Sequence, residues 1–302
     1  MNAALGGVLA VFQTPFTADG GTIDRSAMET QFDWLFANGA DGVVFGMVSE
    51  VLRLSSEERD DVARLACKLA GGRGHCVISV GAESTVVAVR HAKHAAACGA
   101  TAVMATPPAL FPASDEQLFG YFGAIVEAVE VPLVVQDASG YVGTSLSISL
   151  QSRLHAQYGD RVMFKPEAPP IGPRVTALLD ATGGKARIFE GTGGLYLIDS
   201  FRRGAVGTMP AGETVWAQAA LWRALCDGDF DRAYRIAGPL ALLVSQQTSL
   251  DLFVAVEKRL LVQQGVFPSD AMRGPTGDPV DAQMAEELNR LIELLRRAVD
   301  DV

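Results

Sequence analysis

Lys165 and Glu167 are the residues whose types and spacing point most directly to chemistry. Of the five lysines in the chain, only Lys165 lies in a strand pattern, directly after the apolar run Val-Met-Phe at 162–164. The other four lie in helical or loop patterns: Lys68, Lys93, Lys185 and Lys258. Because side chains alternate between the faces of a strand, residues 165 and 167 share one face. Pro166 cannot donate to a sheet, so we expect strand pairing to stop near it, with the lysine at the strand end.

A lysine and a carboxylate in this arrangement can carry out imine chemistry. Burial disfavours the ammonium form of a lysine, and a neutral amine attacks a ketone to form a Schiff base. The positive iminium acidifies the neighbouring carbon, and a carboxylate such as Glu167 can remove the proton from that carbon. The alternative is a simple ion pair at a strand end, and the spacing alone leaves both interpretations open.

Two further polar segments follow buried strand patterns. Gln136 ends the run Pro-Leu-Val-Val at 132–135, where it either acts in a site or caps the strand. The sequence Gly-Thr-Gly-Gly at 191–194 could hold a phosphate on its backbone N–H groups. A glycine-rich turn is the commoner explanation for such a cluster.

Composition and charge exclude several classes of protein. The 302 residues are 49% hydrophobic and 20% charged, which excludes a disordered or fibrous chain. A net charge of −10 argues against nucleic acid as a partner, and no apolar run approaches the roughly 18 residues of a membrane span. The N-terminal segment is expected to be a strand and not a signal peptide. The four cysteines and four histidines lack metal-ligand spacing, so we expect a metal-free cytoplasmic protein.

The elements that must position these residues alternate between short apolar runs and longer helical patterns. The predicted strand and helix pairs are 8–13 and 25–38, 42–46 and 55–70, 76–81 and 84–98, 101–106 and 114–129, 132–137 and 147–158, 162–167 and 172–182, 187–191 and 195–203, and 205–209 and 213–227. Runs such as GVVFG, AVMAT and PLVVQ are apolar on both faces, as in buried parallel strands. Eight such units predict an α/β protein with a (β/α)8 TIM barrel. A doubly wound sheet is the alternative, but no G-x-G-x-x-G follows the first strand.

The remainder of the chain has helical patterns only, over 230–266 and again over about 280–299. The last of these carries an amphipathic stripe of Met284, Leu288, Leu291, Ile292 and Leu295. We therefore predict a barrel over residues 1–228 and a C-terminal helical extension over 229–302 that packs on it.

In a barrel of this kind the chemistry lies at the C-terminal ends of the strands. With Lys165 placed there, the sequence resembles the dihydrodipicolinate synthase / N-acetylneuraminate lyase family of class I Schiff-base barrels over nearly its full length. The matching positions are Gly46 and Glu50 in the family's G-x-x-G-E loop after strand two, Lys165 at its Schiff-base lysine, Gly191 at the end of strand seven and Gly207 at the start of strand eight.

The resemblance implies a small 2-oxo acid as substrate, no organic cofactor and no metal, and a homotetramer. The loop after strand two would hold the substrate carboxylate on backbone N–H groups, in particular those of Val48 and Ser49. The substrate-binding residues that the resemblance implies are Gly46, Met47, Val48, Ser49, Gly191 and Met209.

Several positions depart from the synthase pattern. Residues 47–49 are Met-Val-Ser where synthases carry two threonines and a glycine, and Gln136 replaces the catalytic tyrosine of strand five. Tyr141 aligns with the arginine that contacts the second substrate, and Pro108 and Ala109 align with the paired tyrosines after strand four. The tyrosine proton relay of the family is therefore absent.

One branch of the family is consistent with these substitutions, namely the dehydratases of 2-keto-3-deoxy sugar acids. In that branch a glutamine replaces the strand-five tyrosine and a glutamate lies two residues beyond the lysine, as Gln136, Lys165 and Glu167 do here. The resemblance thus implies dehydration of L-2-keto-3-deoxyarabonate to 2,5-dioxopentanoate in L-arabinose degradation. The alternatives are an aldolase of 4-hydroxy-2-oxo acids, a dihydrodipicolinate synthase-like enzyme and a non-catalytic sensor of 2-oxo acids.

Overall fold

Eight strands alternate with eight helices in the computed structural model, which describes residues 4–140, 143–277 and 280–301. The strands are β1 (Gly7–Val11), β2 (Gly42–Phe45), β3 (His75–Ser79), β4 (Ala102–Ala105), β5 (Leu133–Asp137), β6 (Val162–Pro166), β7 (Phe189–Glu190) and β8 (Gly207–Thr208). The helices that follow them are α1 (Arg25–Ala37), α2 (Ser56–Ala70), α3 (Thr85–Ala97), α4 (Asp115–Ala128), α5 (Ile148–Tyr158), α6 (Ile171–Ala181), α7 (Leu197–Arg202) and α8 (Val215–Cys226). The order of these elements is the one predicted from the sequence.

The strands form one parallel sheet that curves into a barrel. Their order is β6-β5-β4-β3-β2-β1-β8-β7, so each strand lies beside its neighbours in the chain and β1 pairs with β8. The last gap, between β6 and β7, is bridged where Phe164 pairs with Ile188 and donates its N–H to Arg187 O at 2.9 Å. The predicted (β/α)8 barrel is confirmed, and the doubly wound alternative is wrong.

Successive side chains of a strand point to opposite faces, and this alternation directs the functional side chains into the barrel. In β6, Val162 and Phe164 belong to the apolar layer between strands and helices, whereas Met163 belongs to a separate cluster inside the barrel. Since side chains alternate, Lys165 follows Met163 to the inner side, where the apolar filling ends. The one charged side chain of β6, that of Lys165, therefore lies at the mouth of the barrel.

The pairing of β6 ends at Pro166, as expected from the sequence. Asp137 pairs with Pro166 as the last register pair of the two strands, and one further bond follows, from the N–H of Glu167 to Asp137 O at 3.0 Å. The missing N–H of the proline therefore coincides with the end of the strand, and Lys165 lies one residue before it. Glu167 is consequently held by the sheet, with a side chain only 5% exposed.

Three more helices follow the barrel units: α9 (Phe230–Ser245), α10 (Leu250–Gln263) and α11 (Ala282–Asp300). The predicted helical stretch 230–266 is divided because Ser249 caps α10, its hydroxyl accepting the N–H of Leu252 at 3.2 Å. The apolar stripe of α11 packs in one cluster with α7, α8, α9 and α10. The boundary at 228/229 stays a prediction. Within the described ranges, no helix combines the length and the apolar character needed to cross a membrane.

Candidate active site

Lys165, Glu167 and Gln136 form a hydrogen-bonded triad at the mouth of the barrel. Gln136 and Lys165 are register partners on β5 and β6, so their side chains leave the sheet side by side. Lys165 Nζ donates to Glu167 Oε1 at 3.0 Å, and Gln136 Nε2 donates to Glu167 Oε2 at 2.6 Å. All three side chains are at least 95% buried. The structure therefore brings together the three catalytic candidates of the sequence.

The environment of Glu167 makes it a stronger base than an exposed carboxylate. Burial is the largest effect and raises the pKa of Glu167, and the nearby carboxylate of Glu190 raises it further. The ammonium of Lys165 and the amide of Gln136 act in the opposite direction, since both donate to the ionised form. Glu167 can thus accept a proton from a substrate carbon and then hold it.

A pocket at the mouth of the barrel, open to solvent, is lined by this triad. The other predicted residues in its wall are Gly46, Met47, Val48, Gly191 and Met209. The remaining wall is apolar or glycine except for one acidic residue, Glu257 on α10. The sequence analysis missed Glu257, although a Glu-Lys pair inside the apolar pattern of residues 250–262 was a visible signal.

Ser49 lies behind the cavity and not in its wall, which corrects the expected substrate contact. It is fully buried in a short 3₁₀ turn, Met47–Ser49. Its N–H donates to Gly46 O at 3.0 Å, and its hydroxyl donates to Phe12 O and accepts the N–H of Gly46. The first N–H groups of a helical turn have no partner within it. Met47 and Val48 line the cavity, whereas Ser49 fixes the loop from behind.

A buried ion pair anchors the same loop to the C-terminal helices. Glu50 has a left-handed backbone with φ of 58°, and its carboxylate bonds Lys258 Nζ of α10. The N–H of Arg273 also donates to Glu50 at 2.9 Å, and both side chains of the ion pair are fully buried. Because a buried charge needs a partner, this pair fixes the position of α10 relative to the loop after β2.

Gly191 provides the space that Lys165 occupies. A Cβ atom at position 191 would lie 2.6 Å from Lys165 Cε and 2.9 Å from Glu167 Cγ, closer than carbon atoms approach without displacement. The glycine at the end of β7 is thus required by the lysine side chain that crosses over it.

The glycine-rich segment after β7 is a turn in which a protein carboxylate already binds two of the backbone N–H groups. Glu190 Oε1 accepts the N–H of Thr192 at 2.8 Å, and Glu190 Oε2 accepts that of Gly194 at 3.2 Å. Gly193 and Gly194 have positive φ angles of 68° and 88°. A buried carboxylate of the protein takes the place that a phosphate would need, in agreement with the turn interpretation.

The other departures from the synthase pattern lie farther from the triad or outside the described residues. Tyr141 falls outside the ranges that the structure describes. Ala109 donates its N–H to Glu83 Oε1 at 2.9 Å, and neither Pro108 nor Ala109 is in the cavity wall. In the described part of the chain, no three His, Cys, Asp or Glu side chains come together as metal ligands.

Comparison with known proteins identifies the family. The model of the dihydrodipicolinate synthetase family matches residues 4–295. The chain belongs to this family. Members of the dihydrodipicolinate synthetase family are Schiff-base lyases, and this enzyme is a lyase of the same kind.

Individual family members differ in their activities. L-2-keto-3-deoxyarabonate dehydratase of Azospirillum brasilense is 28% identical over 278 residues, covering 89% of this chain and 88% of that protein. 4-Hydroxy-tetrahydrodipicolinate synthase of Thermomicrobium roseum is 30% identical over 239 residues, covering 78% of each chain. The crystal structure of Acinetobacter baumannii dihydrodipicolinate synthase with pyruvate has a TM-score of 0.84 at 25% identity, covering 96% of this chain and 98% of that one. The family resemblance expected from the sequence is confirmed.

Proposed function

We propose that this enzyme is a dehydratase that removes water from a 2-keto-3-deoxy sugar acid, namely L-2-keto-3-deoxyarabonate, to give 2,5-dioxopentanoate. The observation that carries the proposal is the bond from Gln136 to Glu167 beside Lys165. An amide cannot transfer the protons that the family tyrosine handles, which disfavours synthase and aldolase chemistry. The resemblance to the Azospirillum brasilense dehydratase supports the same choice.

The reaction begins with imine formation at Lys165. Its neutral amine attacks the C2 ketone and water leaves, giving an iminium that draws electrons from C3. Glu167 removes a C3 proton, and the C2–C3 bond becomes part of an enamine. The enamine expels the C4 hydroxyl as water and leaves a C3–C4 double bond. Tautomerisation moves the unsaturation to C5, and hydrolysis of the imine releases 2,5-dioxopentanoate.

The cavity wall suits a small acid of this type. Met47 and Val48 line the cavity at the start of a 3₁₀ turn, and we assign the substrate carboxylate to their N–H groups. Apolar side chains such as Met104 and Met209 cover the rest of the wall and keep bulk water from the enamine. From the family resemblance we further propose a cytoplasmic homotetramer that acts in pentose catabolism.

Product analysis tests the proposal directly. The enzyme is incubated with L-2-keto-3-deoxyarabonate, and 2,5-dioxopentanoate is measured against pyruvate and glycolaldehyde. We expect 2,5-dioxopentanoate alone. Release of pyruvate and glycolaldehyde would instead identify an aldolase. Imine formation with pyruvate but no product from the sugar acid, or from pyruvate with aspartate semialdehyde, would favour a sensor.

A further inference from the structure

Glu257 is a second acidic group in the cavity wall, and it comes from the C-terminal helices and not from the barrel. It lies on α10 and is fully buried. The amide of Gln13, which follows β1, donates to Glu257 Oε2. The other carboxyl oxygen, Oε1, is buried and has no hydrogen-bond partner among the described residues. A buried polar atom without a protein partner in a substrate cavity is positioned for a substrate atom.

The groups around Glu257 favour its protonated form. Burial and the carboxyl of Glu213, in the 3₁₀ turn Gly212–Thr214 after β8, both raise the pKa of Glu257 well above its usual range. The amide of Gln13 and the ammonium of the adjacent Lys258 oppose this effect. Lys258 is engaged with Glu50 and with Ala271 O, so it offers Glu257 no direct ion pair. A carboxylic acid in these surroundings can donate a proton near neutral pH.

The proposed dehydration needs such a donor, because hydroxide is a poor leaving group. Among the described residues of the wall, only Lys165, Glu167 and Glu257 carry titratable side chains. Lys165 is bound in the imine during this step. Glu167 takes the C3 proton and, in the proposed mechanism, returns it to C3 in the final tautomerisation. The remaining group is Glu257.

We propose that Glu257 is the general acid that protonates the departing C4 hydroxyl, an assignment that rests on the proposed dehydratase function. The enamine nitrogen lone pair re-forms the C2–N double bond, and the C2–C3 π pair becomes the C3–C4 double bond. The C–O bonding pair leaves with the hydroxyl, which takes the Glu257 proton and departs as water. In the tautomerisation that follows, Glu167 returns its proton to C3 and the proton lost from C5 passes through water to Glu257, so both carboxyl groups regain their starting states.

The same proton explains a preference for dehydration over aldol cleavage. Cleavage of the C3–C4 bond requires a base that removes the proton of the C4 hydroxyl. A carboxyl group that already holds a proton cannot accept another. Glu257 in its acid form therefore promotes C–O cleavage and cannot itself serve as the base for C–C cleavage.

A change of leaving group tests the assignment. Glu257→Gln keeps the size and neutrality of the side chain but cannot donate a proton to the leaving group. We expect Glu257→Gln to slow dehydration of L-2-keto-3-deoxyarabonate by about 10²- to 10⁴-fold. Elimination of fluoride from the 4-fluoro analogue, which needs less protonation, should slow by less than about tenfold. Borohydride trapping of pyruvate on Lys165 should be unchanged, which shows that the site is intact.

The outcomes separate this assignment from the proposed function. Equal slowing with both leaving groups would assign Glu257 to binding, and no slowing with either would make it structural. A wild-type enzyme that forms the imine but dehydrates neither compound would overturn the dehydratase function itself.

Glu213→Gln gives an independent measurement, because Glu213 acts on Glu257 without lining the cavity. Removing its carboxyl lowers the pKa of Glu257. Since the acid form is the active one, the alkaline limb of the kcat profile should move to lower pH. An alkaline limb that does not move would contradict the role of Glu257 as the acid.

Discussion

Gln136 and Glu167 are joined by a 2.6 Å hydrogen bond between the ends of two neighbouring strands. The family places a tyrosine at the glutamine position, and a phenol both donates hydrogen bonds and transfers protons. The amide donates its Nε2–H to Glu167 and does not transfer protons, so it orients the carboxylate without competing for the substrate proton. Proton transfer at C3 is thereby left to Glu167.

Lys165→Ala should abolish the covalent adduct formed with pyruvate and borohydride, because no other lysine lines the described cavity. Turnover should fall below detection in the same variant. Mass spectrometry of the trapped protein gives the position of the adduct. Lys185→Ala, in an exposed segment, is the matched control and should retain a full adduct. An adduct on another lysine would refute the assignment.

Glu167→Gln should keep the pyruvate adduct but slow exchange of the pyruvate methyl protons with deuterium. The expected loss is about 10²- to 10⁴-fold, the usual contribution of a general base. Proton NMR in deuterium oxide measures this exchange without the natural substrate. Exchange at the wild-type rate would show that another group is the base and that Glu167 serves only as the ion-pair partner of Lys165.

Gln136→Leu should shift the pH dependence of the same exchange. The amide of Gln136 stabilises the ionised form and so lowers the pKa of Glu167. Its removal raises that pKa, and because the ionised form is the base, the acid limb of the exchange profile should move to higher pH. A charge-assisted hydrogen bond of ordinary strength corresponds to about one pH unit. An acid limb at the wild-type pH would show that the bond does not stabilise the base.

Gly191→Ala should lower kcat by about 10²-fold, because the new methyl group displaces Lys165 from its path. Circular dichroism and the unfolding midpoint should stay close to wild type if the lysine moves and the barrel does not. Gly120→Ala on α4, where an added Cβ meets no atom within 4 Å, is the control and should retain full activity. Normal turnover in Gly191→Ala would refute the steric account.

Lys258→Met should lower the free energy of unfolding by about 3 kcal/mol, the lower end of the range for a broken buried pair, since Glu50 loses its ammonium partner but keeps Arg53 Nη1 at 3.5 Å. The double variant with Glu50→Gln should recover part of that loss. Urea denaturation followed by fluorescence gives both values. Arg297→Met, in an exposed pair with Glu293, should change stability by less than about 1 kcal/mol. Equal effects of the two single variants would mean that burial of the Glu50 pair has no energetic consequence.

The fold could be predicted because its signals are local. Strands buried on both faces are apolar throughout, as in the run at 42–46, and helices begin at capping residues such as Ser55, whose hydroxyl accepts the N–H of Glu58. The break between α9 and α10 was missed because the apolar period continues on both sides of it. The cap at Ser249 is a short polar signal inside a long apolar pattern.

The sequence predicted those site residues that lie at the ends of neighbouring strands. It did not predict contacts between parts of the chain that are distant in sequence. Gln136 and Lys165 meet because consecutive strands of a barrel are adjacent. Both can therefore be identified as polar residues at the ends of predicted strands. Glu50 and Lys258 are 208 residues apart, and nothing local in the sequence indicates that α10 lies on the loop after β2. The orientation of Ser49 depends on the backbone conformation of the 3₁₀ turn Met47–Ser49, which the G-x-x-G-E motif does not specify.

Two adjacent residues of α10 serve different parts of the molecule, Glu257 in the cavity wall and Lys258 in the anchor of the loop. An inserted or deleted residue before them would rotate both by about 100° around the helix axis. A point substitution at position 257 can therefore change the acid in the cavity wall while the anchor of the loop stays in place. Length changes in the first turns of α10 should be eliminated by selection, since they would lose the loop and the wall together.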